Sequence, residues 1–212
     1  MISKYDYIKN PCSSLSIPYW KEEKVSVPDN MLIIHDKNYN DGYLDSYDNT
    51  KYFRILHDMK LILDADLDIN YYIKTVDINK EKRIVTDIIN NCYSDISVTE
   101  SQVVAWTKEK AYDRNLWMFI MVKNTNLPVG LGIADFDKNI EEGILEWIQV
   151  LPKYRCKGIG KVIVNELLNR LEVKAEFVTV SGKIDDKTKP ESLYRKCGFK
   201  GKDIWNIMYY KK

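Results

Sequence analysis

Hydrophobic and polar residues follow regular strand and helix periods from Tyr71 to the end of the chain. Period-two patterns predict strands over residues 71–76, 116–122, 129–136, 144–150, 176–180 and 203–210. Apolar residues spaced three and four apart predict helices over residues 80–92 and 100–112, one that runs to residue 171, and a short one over 191–197. Strands and helices therefore succeed one another without a long interruption in this part of the chain.

The first 69 residues follow no comparable pattern. Prolines and aromatic residues before residue 30 predict an irregular arm that packs through its rings. Short apolar runs at 31–35 and 52–57 predict two strands paired across a long connection, and alternation over 61–69 predicts a half-buried strand. We therefore predict an N-terminal extension over residues 1–69 that packs on a core over residues 70–212.

A glycine-containing loop joins the strand at 144–150 to the helix that follows it. Gly158 and Gly160 have no side chain, so an anion can approach the backbone closely there. The first turn of a helix also offers N–H groups without intrahelical partners and the positive end of the helix dipole. Four basic residues surround this point: Lys153, Arg155, Lys157 and Lys161. The pattern indicates a phosphate-binding loop, and an ordinary turn with a solvated basic rim is the alternative.

Two common phosphate loops do not fit this sequence. A Walker A loop needs Ser or Thr where this chain has Val162, and a dinucleotide fingerprint needs a third glycine where it has Ile163. Residues 150–161 instead resemble the Arg/Gln-x-x-Gly-x-Gly/Ala loop of the GNAT superfamily of acyl-CoA N-acyltransferases. Residues 193–199, Leu-Tyr-Arg-Lys-Cys-Gly-Phe, resemble the second signature of that family. The resemblance covers about residues 70–212.

The resemblance implies an α/β (α+β) fold with a mixed, mostly antiparallel, twisted sheet flanked by helices. The sheet is expected to splay between its fourth and fifth core strands, here 144–150 and 176–180, with acetyl-CoA as co-substrate in the gap. The backbone of Ile148, Gln149 and Val150 is expected to hold the pantetheine arm and the acyl carbonyl. The pyrophosphate is expected on backbone N–H groups of the loop, which comprises Arg155, Cys156, Lys157, Gly158, Ile159, Gly160 and Lys161.

Acetylation of an amine requires that an ammonium lose a proton and that a thiolate gain one. Glu146 stands where the family often places a general base, and strand alternation puts it on one face with Ile148 and Val150. A carboxylate that only solvates the cleft is the alternative. Tyr194 matches the family's tyrosine, whose phenol can protonate the thiolate, and a ring that only anchors the short helix is the alternative. The asparagine that often binds pantetheine in the family has no counterpart in residues 185–192.

Composition argues against several other classes of protein. The 212 residues are 45% hydrophobic with a formal net charge of +1, which argues against disorder and against a general nucleic-acid-binding protein. The four cysteines are scattered without CxxC pairs or nearby histidines, so neither a disulfide framework nor a metal site is expected. No apolar run approaches membrane-spanning length.

We therefore predict a cytoplasmic acetyl-CoA-dependent N-acetyltransferase, monomeric or homodimeric, without metal, membrane or nucleic-acid partner. The expected reaction is direct attack of a primary amine on the thioester. The acceptor is a small molecule or a peptide, and contacts that select it lie on loops that vary among related enzymes. A CoA-binding sensor or regulatory module without turnover is the alternative.

Overall fold

The computed structural model describes residues 2–93 and 96–211. The helices are α1 (Lys4–Lys9), α2 (Pro11–Ser14), α3 (Ile78–Cys92), α4 (Glu100–Trp106), α5 (Ile159–Leu171) and α6 (Pro190–Lys196). The strands are β1 (Met31–His35), β2 (Tyr47–His57), β3 (Tyr71–Thr75), β4 (Tyr112–Val122), β5 (Pro128–Asp137), β6 (Glu142–Val150), β7 (Phe177–Lys183) and β8 (Lys200–Tyr210). The chain divides into two compact units: a first unit of Met1–Asp58 with Thr179–Lys212, and a second unit of Met59–Val178.

The second unit is built on an antiparallel sheet in the order β6-β5-β4-β3. One face packs against α3 and α4 through a buried cluster that includes Val85, Ile88, Ile89, Val103, Trp117, Phe119, Leu131 and Ile133. The intervening residues of β5 point to the other face, because side chains alternate along a strand. That face receives α5.

Glycines in the sheet allow α5 to approach it closely. A Cβ atom built on Gly132 lies 2.5 Å from Cγ2 of Ile163, and one built on Gly143 lies 2.8 Å from Cδ1 of Leu171. Real Cβ atoms do not approach other atoms so closely, and a close-packed interior has no room to absorb them. The position of α5, and with it the position of its N-terminus next to β6, therefore depends on these glycines.

The first unit joins two parts of the chain that are far apart in sequence. Its strand order is β1-β8-β2-β7, and β8 is antiparallel to both of its neighbours. The buried Arg54 of β2 donates to the hydroxyl of Tyr7 (2.9 Å) in α1 and to Oγ1 of Thr179 (3.2 Å) in β7. Trp205 of β8 donates through Nε1 to the carbonyl oxygen of Cys12 (2.8 Å). Strands from residues 1–58 thus share a sheet with a strand of the predicted core.

The succession from β3 to β8 is β-α-α-β-β-β-α-β-α-β, which follows the predicted elements. The pairing predicted for the two N-terminal strands is wrong, because β1 and β2 both pair with β8 and lie on opposite sides of it. The strand predicted over residues 61–69 is also wrong. These residues form no regular element in the described structure, and the side chains of Leu61 and Ile69 are 69% and 81% exposed.

The helix predicted over residues 100–112 is shorter than expected. The predicted capping box is present, with Thr99 and Gln102 bonded reciprocally, but α4 ends at Trp106. Tyr112 already belongs to β4, where it pairs with Asp135 of β5. The apolar residues that follow Trp106 therefore lead into the sheet and do not extend the helix. No helix in residues 2–93 and 96–211 has the length and apolar character needed to cross a membrane.

Candidate active site

The junction between β6 and α5 forms the candidate cofactor site of the second unit. A 3₁₀ turn over Pro152–Tyr154 follows β6, and α5 begins at Ile159. The chain between them adopts left-handed backbone conformations at Cys156 (φ 61°) and Gly158 (φ 79°). A Cβ atom built on Gly158 meets no other atom within 4 Å, so the loop is open on that side. Glycine here serves both the backbone conformation and access to the backbone.

The first turn of α5 presents uncapped N–H groups. Its N-cap residue is Gly158, so no side-chain cap is formed within the described part of the chain. The N–H of Val162 donates to the carbonyl oxygen of Gly158 (3.2 Å), which leaves the N–H groups of residues 159–161 as the helix terminus. This end of a 13-residue helix carries the positive end of its dipole and suits an anion.

The basic side chains around the loop are not equivalent. Lys153 and Lys157 are exposed, and the ammonium of Lys157 lies 5.3 Å from the centre of the Tyr154 ring. Lys161 turns to the segment before β3, where its Nζ donates to the carbonyl oxygen of Asp64 (3.0 Å). The thiol of Cys156 is exposed. Lys153 and Lys157 are therefore the exposed lysines whose ammonium groups can reach an anion at the loop.

Arg155 is bound to carbonyl groups of neighbouring elements. Its Nε donates to the carbonyl oxygen of Val150 (3.0 Å) and its Nη2 to that of Cys92 (3.4 Å). The thiol of Cys92 donates to the same oxygen of Val150 (3.6 Å). Burial raises the pKa of this thiol, and the nearby Arg155 opposes that shift. Both lone pairs of the Val150 carbonyl are thus occupied, so a pantetheine contact at Val150 has to use its N–H.

A β-bulge at Glu146 changes the predicted alternation of β6. Ile133 of β5 pairs with Trp147 and Ala134 pairs with Leu145, so Glu146 is the extra residue of the bulge between these two pairs. Strand alternation therefore does not carry across this position, so the prediction that Glu146 shares a face with Ile148 and Val150 loses the alternation on which it was based. The carboxylate is half-buried. Sequence offers no signal for the bulge, because it depends on the pairing of the two strands.

An aromatic cluster covers the α3/α4 side of β6. Trp147 stacks on Trp106 at the end of α4, with ring centres 5.5 Å apart and planes at 23°. Tyr93, which follows α3, packs edge-on against Trp147 at 6.0 Å, and its hydroxyl accepts from Nε2 of Gln149 (2.9 Å). All three rings are half-buried. Gln149 thus uses its side chain inside the unit, and its backbone pairs with Leu131 in the ladder between β5 and β6.

Tyr194 lies in α6, which belongs to the first unit. Its side chain is 7% exposed. The ring centre lies 6.1 Å from that of Phe53 and 5.7 Å from that of Phe199. The ring therefore packs on this unit and anchors α6. Such packing also fixes the direction of the hydroxyl group, so it is compatible with the acid role and with the alternative.

The second unit also contains a cavity of about 200 Å³ between α5 and the segment before β3. It is lined by Asp64, Ala65, Asp66, Leu67, Ile73, Val162, Asn165, Glu166 and Asn169. Asn165 donates through Nδ2 to the carbonyl oxygen of Leu63, which holds this segment on the helix. Across the part of the chain that the structure describes, no three His, Cys, Asp or Glu side chains are grouped to hold a metal ion.

The second unit therefore brings together all but one of the predicted site residues. Glu146, Ile148, Gln149 and Val150 follow one another on β6, and residues 155–161 form the loop and first turn of α5. Tyr194 belongs to the other unit. The contacts of Arg155 with Cys92, and the aromatic cluster around Trp147, were not predicted, because they join residues that are distant in sequence.

Residues 115–201 match the family model of the acetyltransferase (GNAT) domain. This segment, which is less than half of the chain, is similar to a GNAT acetyltransferase domain. The matched segment includes both predicted signatures, the loop at 150–161 and the segment 193–199, and the predicted family is confirmed. The match is narrower than the predicted core of about residues 70–212. No curated protein matches this sequence.

Solved structures with the GNAT fold resemble most of the chain at low sequence identity. A GCN5-related N-acetyltransferase from Sphaerobacter thermophilus is 14% identical with a TM-score of 0.69, over 86% of this chain and 61% of that one. A GCN5-related N-acetyltransferase from Kribbella flavida is 12% identical with a TM-score of 0.60, over 86% of this chain and 68% of that one.

The NatC complex bound to a Gag peptide and CoA is 15% identical with a TM-score of 0.53, over 68% of this chain and 100% of the matched chain. This chain spans about 61% of the Sphaerobacter protein, so it corresponds to only part of that relative. At such identities the likeness establishes the fold. The predicted α/β class with a mostly antiparallel sheet flanked by helices is confirmed.

Proposed function

We propose that this protein is an acetyl-CoA-dependent N-acetyltransferase that acts on a primary amine. The observation that carries the proposal is the junction of β6 and α5, where an uncapped helix N-terminus, an open glycine loop and exposed lysines meet. This junction lies inside the segment that matches the GNAT domain. The CoA bound in the related NatC complex supports the choice of cofactor.

The junction suits the diphosphate and the pantetheine arm of acetyl-CoA. The pyrophosphate accepts hydrogen bonds from backbone N–H groups of residues 156–161, and Lys157 adds a charge beside them. The pantetheine arm runs along β6 at Ile148 and Gln149. The carbonyl oxygen of Val150, already bound to Arg155 and Cys92, takes no part.

The chemical step is a direct transfer without an acyl-enzyme. The amine nitrogen attacks the thioester carbonyl carbon, a tetrahedral intermediate forms, and its C–S bond then breaks to release CoA. Glu146 accepts the proton that the amine loses, directly or through water, and the hydroxyl of Tyr194 donates a proton to the departing thiolate. Glu146 then releases its proton to water and Tyr194 regains one from water, so the enzyme is restored and the products are an amide and the CoA thiol.

The test is release of the CoA thiol from acetyl-CoA in the presence of an amine panel: polyamines, aminoglycosides, amino acids and N-terminal peptides. We expect thiol release that depends on one amine class, together with an equal amount of acetylated product. A protein that binds CoA but releases no thiol with any member is a sensor or regulatory module. The buried packing of Tyr194 between two phenylalanines would suit that alternative.

A further inference from the structure

The side chain of Arg155 reaches two elements outside the loop that contains it. Its Nε donates to the carbonyl oxygen of Val150, at the end of β6, over 3.0 Å. Its Nη2 donates to the carbonyl oxygen of Cys92, the last residue of α3, over 3.4 Å. Both acceptors are main-chain groups, so this arginine ties the loop to a strand and to a helix at the same time.

The rest of the loop has few constraints of its own. The segment before Arg155 is held by backbone bonds, from Tyr154 N–H to Leu151 O (2.8 Å) and from Arg155 N–H to Pro152 O (3.3 Å). After Arg155, the chain passes through left-handed conformations at Cys156 and Gly158 before α5 begins. The conformation of residues 156–158 is therefore set mainly by how firmly Arg155 and the start of α5 are held.

The acceptors around Arg155 favour a fixed position for its guanidinium. The C-terminal carbonyls of α3 carry the negative end of a helix dipole, which attracts a cation. The thiol of Cys92 donates to the same oxygen of Val150 as Arg155 does, at 3.6 Å. The planar guanidinium presents donors in a rigid fork, which a lysine ammonium cannot reproduce.

We propose that Arg155 is a positioning residue. It holds the loop in the conformation that binds the pyrophosphate by clamping it to β6 and α3, and this geometric role outweighs its charge. The inference rests on the proposed function in one respect, that the loop binds CoA. It also predicts that cofactor binding and the end of α3 are coupled, since the same side chain contacts both.

Calorimetric titration of CoA at several salt concentrations separates geometry from charge. Arg155→Lys keeps the charge and loses the fork, so we expect it to weaken CoA binding about tenfold or more, close to the loss in Arg155→Met. Lys157→Met removes an exposed charge, so its smaller loss should fade as salt screens the interaction. Arg170→Lys is the matched control. Arg170 lies in the last turn of α5, away from the loop, and it also donates to a main-chain carbonyl, that of Asn115 (2.7 Å). We expect its CoA affinity to equal that of wild type.

If Arg155→Lys binds CoA as tightly as wild type while Arg155→Met shows a salt-dependent loss, the charge of Arg155 is what supports CoA binding. That result would overturn the inference. Amide hydrogen exchange of residues 156–160 in the ligand-free protein gives a second readout that needs no CoA. Faster exchange in Arg155→Lys than in Arg170→Lys supports the clamp, and equal exchange overturns it. If wild type binds no CoA, the proposed function fails and this exchange comparison still decides the inference. Arg155→Gln replaces Arg155→Met should the latter not fold.

Discussion

The two ends of α5 are built in opposite ways. At its C-terminal end, polar groups find protein partners: Arg170 donates to Glu166 (2.8 Å) and to the carbonyl of Asn115, and Lys174, just beyond the helix, pairs with Asp113. At its N-terminal end, Gly158 supplies no cap and the loop beside it is open. The C-terminal end of α5 thus contributes to the stability of the fold, whereas its N-terminal end keeps hydrogen-bond donors available for a ligand.

The glycines around α5 follow the same division. Gly132 and Gly143 lie beneath the helix, where side chains do not fit. Gly158 and Gly160 lie at its start, where the proposed pyrophosphate needs access to the backbone. One residue type thus serves packing at the sheet and binding at the N-terminus. Substitutions at the two places should separate stability from cofactor affinity.

The largest expected effect is at Gly160. It sits in the first turn of α5 outside the left-handed region, so a side chain does not strain the backbone. Gly160→Val should abolish measurable CoA binding in calorimetry, because its methyl groups occupy the approach of the phosphate, while Tm stays close to wild type. Gly160→Ala is the matched control, since the loop pattern of the family accepts alanine there. It should bind CoA and gain up to about 1 kcal/mol of helix stability. Undiminished CoA affinity in Gly160→Val would contradict the backbone site.

The second largest effect is expected at Tyr194, whose buried ring packs on its neighbours and whose hydroxyl is the proposed acid. Tyr194→Phe keeps the contacts with Phe53 and Phe199, so Tm should barely move. Turnover should fall by about 10²–10⁴ if the hydroxyl protonates the thiolate. The loss should shrink with a thioester whose thiol is more acidic, because that leaving group needs less help. Equal turnover of both proteins with both thioesters would mean that the ring only anchors α6.

A moderate effect is expected beneath the helix. Gly132→Val places a Cβ atom 2.5 Å from Cγ2 of Ile163 and has to displace α5. Overpacking of this kind costs about 1–3 kcal/mol in the free energy of unfolding. Denaturant unfolding of Gly132→Val and Gly160→Val, measured side by side, should show the loss only in the former. Equal stability of the two variants would remove the distinction between packing and binding glycines.

The smallest effect is at the C-terminal end. Burial raises the pKa of Asp113, but the hydrogen bond and charge of Lys174 outweigh it, so the net pKa is lowered. A carboxyl with a lowered folded-state pKa contributes stability above its unfolded pKa of about 3.9 and loses it as pH falls through the folded value. Asp113→Asn should therefore lose about 0.2–1 kcal/mol at pH 7, and this difference from wild type should shrink below about pH 4. If the difference in the free energy of unfolding stays constant down to pH 2, the ion pair of Asp113 with Lys174 contributes nothing to stability.

Local patterns in the sequence sufficed for the junction that carries the proposed site. The alternation before Val150, the glycines at 158 and 160, and the apolar spacing up to Leu171 each act within a few residues, so they predict β6, the loop and α5. The capping box at Thr99 is local in the same sense. Physical rules with short range are the ones that a single sequence can reveal.

Features that depend on distant partners were out of reach. The pairing of β1 and β2 with β8 joins residues separated by more than 140 positions, and nothing local specifies it. The bulge at Glu146 exists only in the pairing with β5. The alternation over 61–69 looked like a strand, yet an alternating segment forms one only if a neighbouring edge accepts it. Arg155 was predicted to offer its backbone N–H and a nearby positive charge to the pyrophosphate. The carbonyl partners of its side chain, at Val150 and Cys92, cannot be inferred from spacing.

The central claim is that backbone N–H groups at the β6–α5 junction hold the pyrophosphate of acetyl-CoA. Amide hydrogen exchange of the wild-type protein, with and without acetyl-CoA, tests it most directly. We expect residues 156–161 to become protected when acetyl-CoA binds, while residues 100–106 of the capped helix α4 do not change. Binding of acetyl-CoA without protection of residues 156–161 would contradict it.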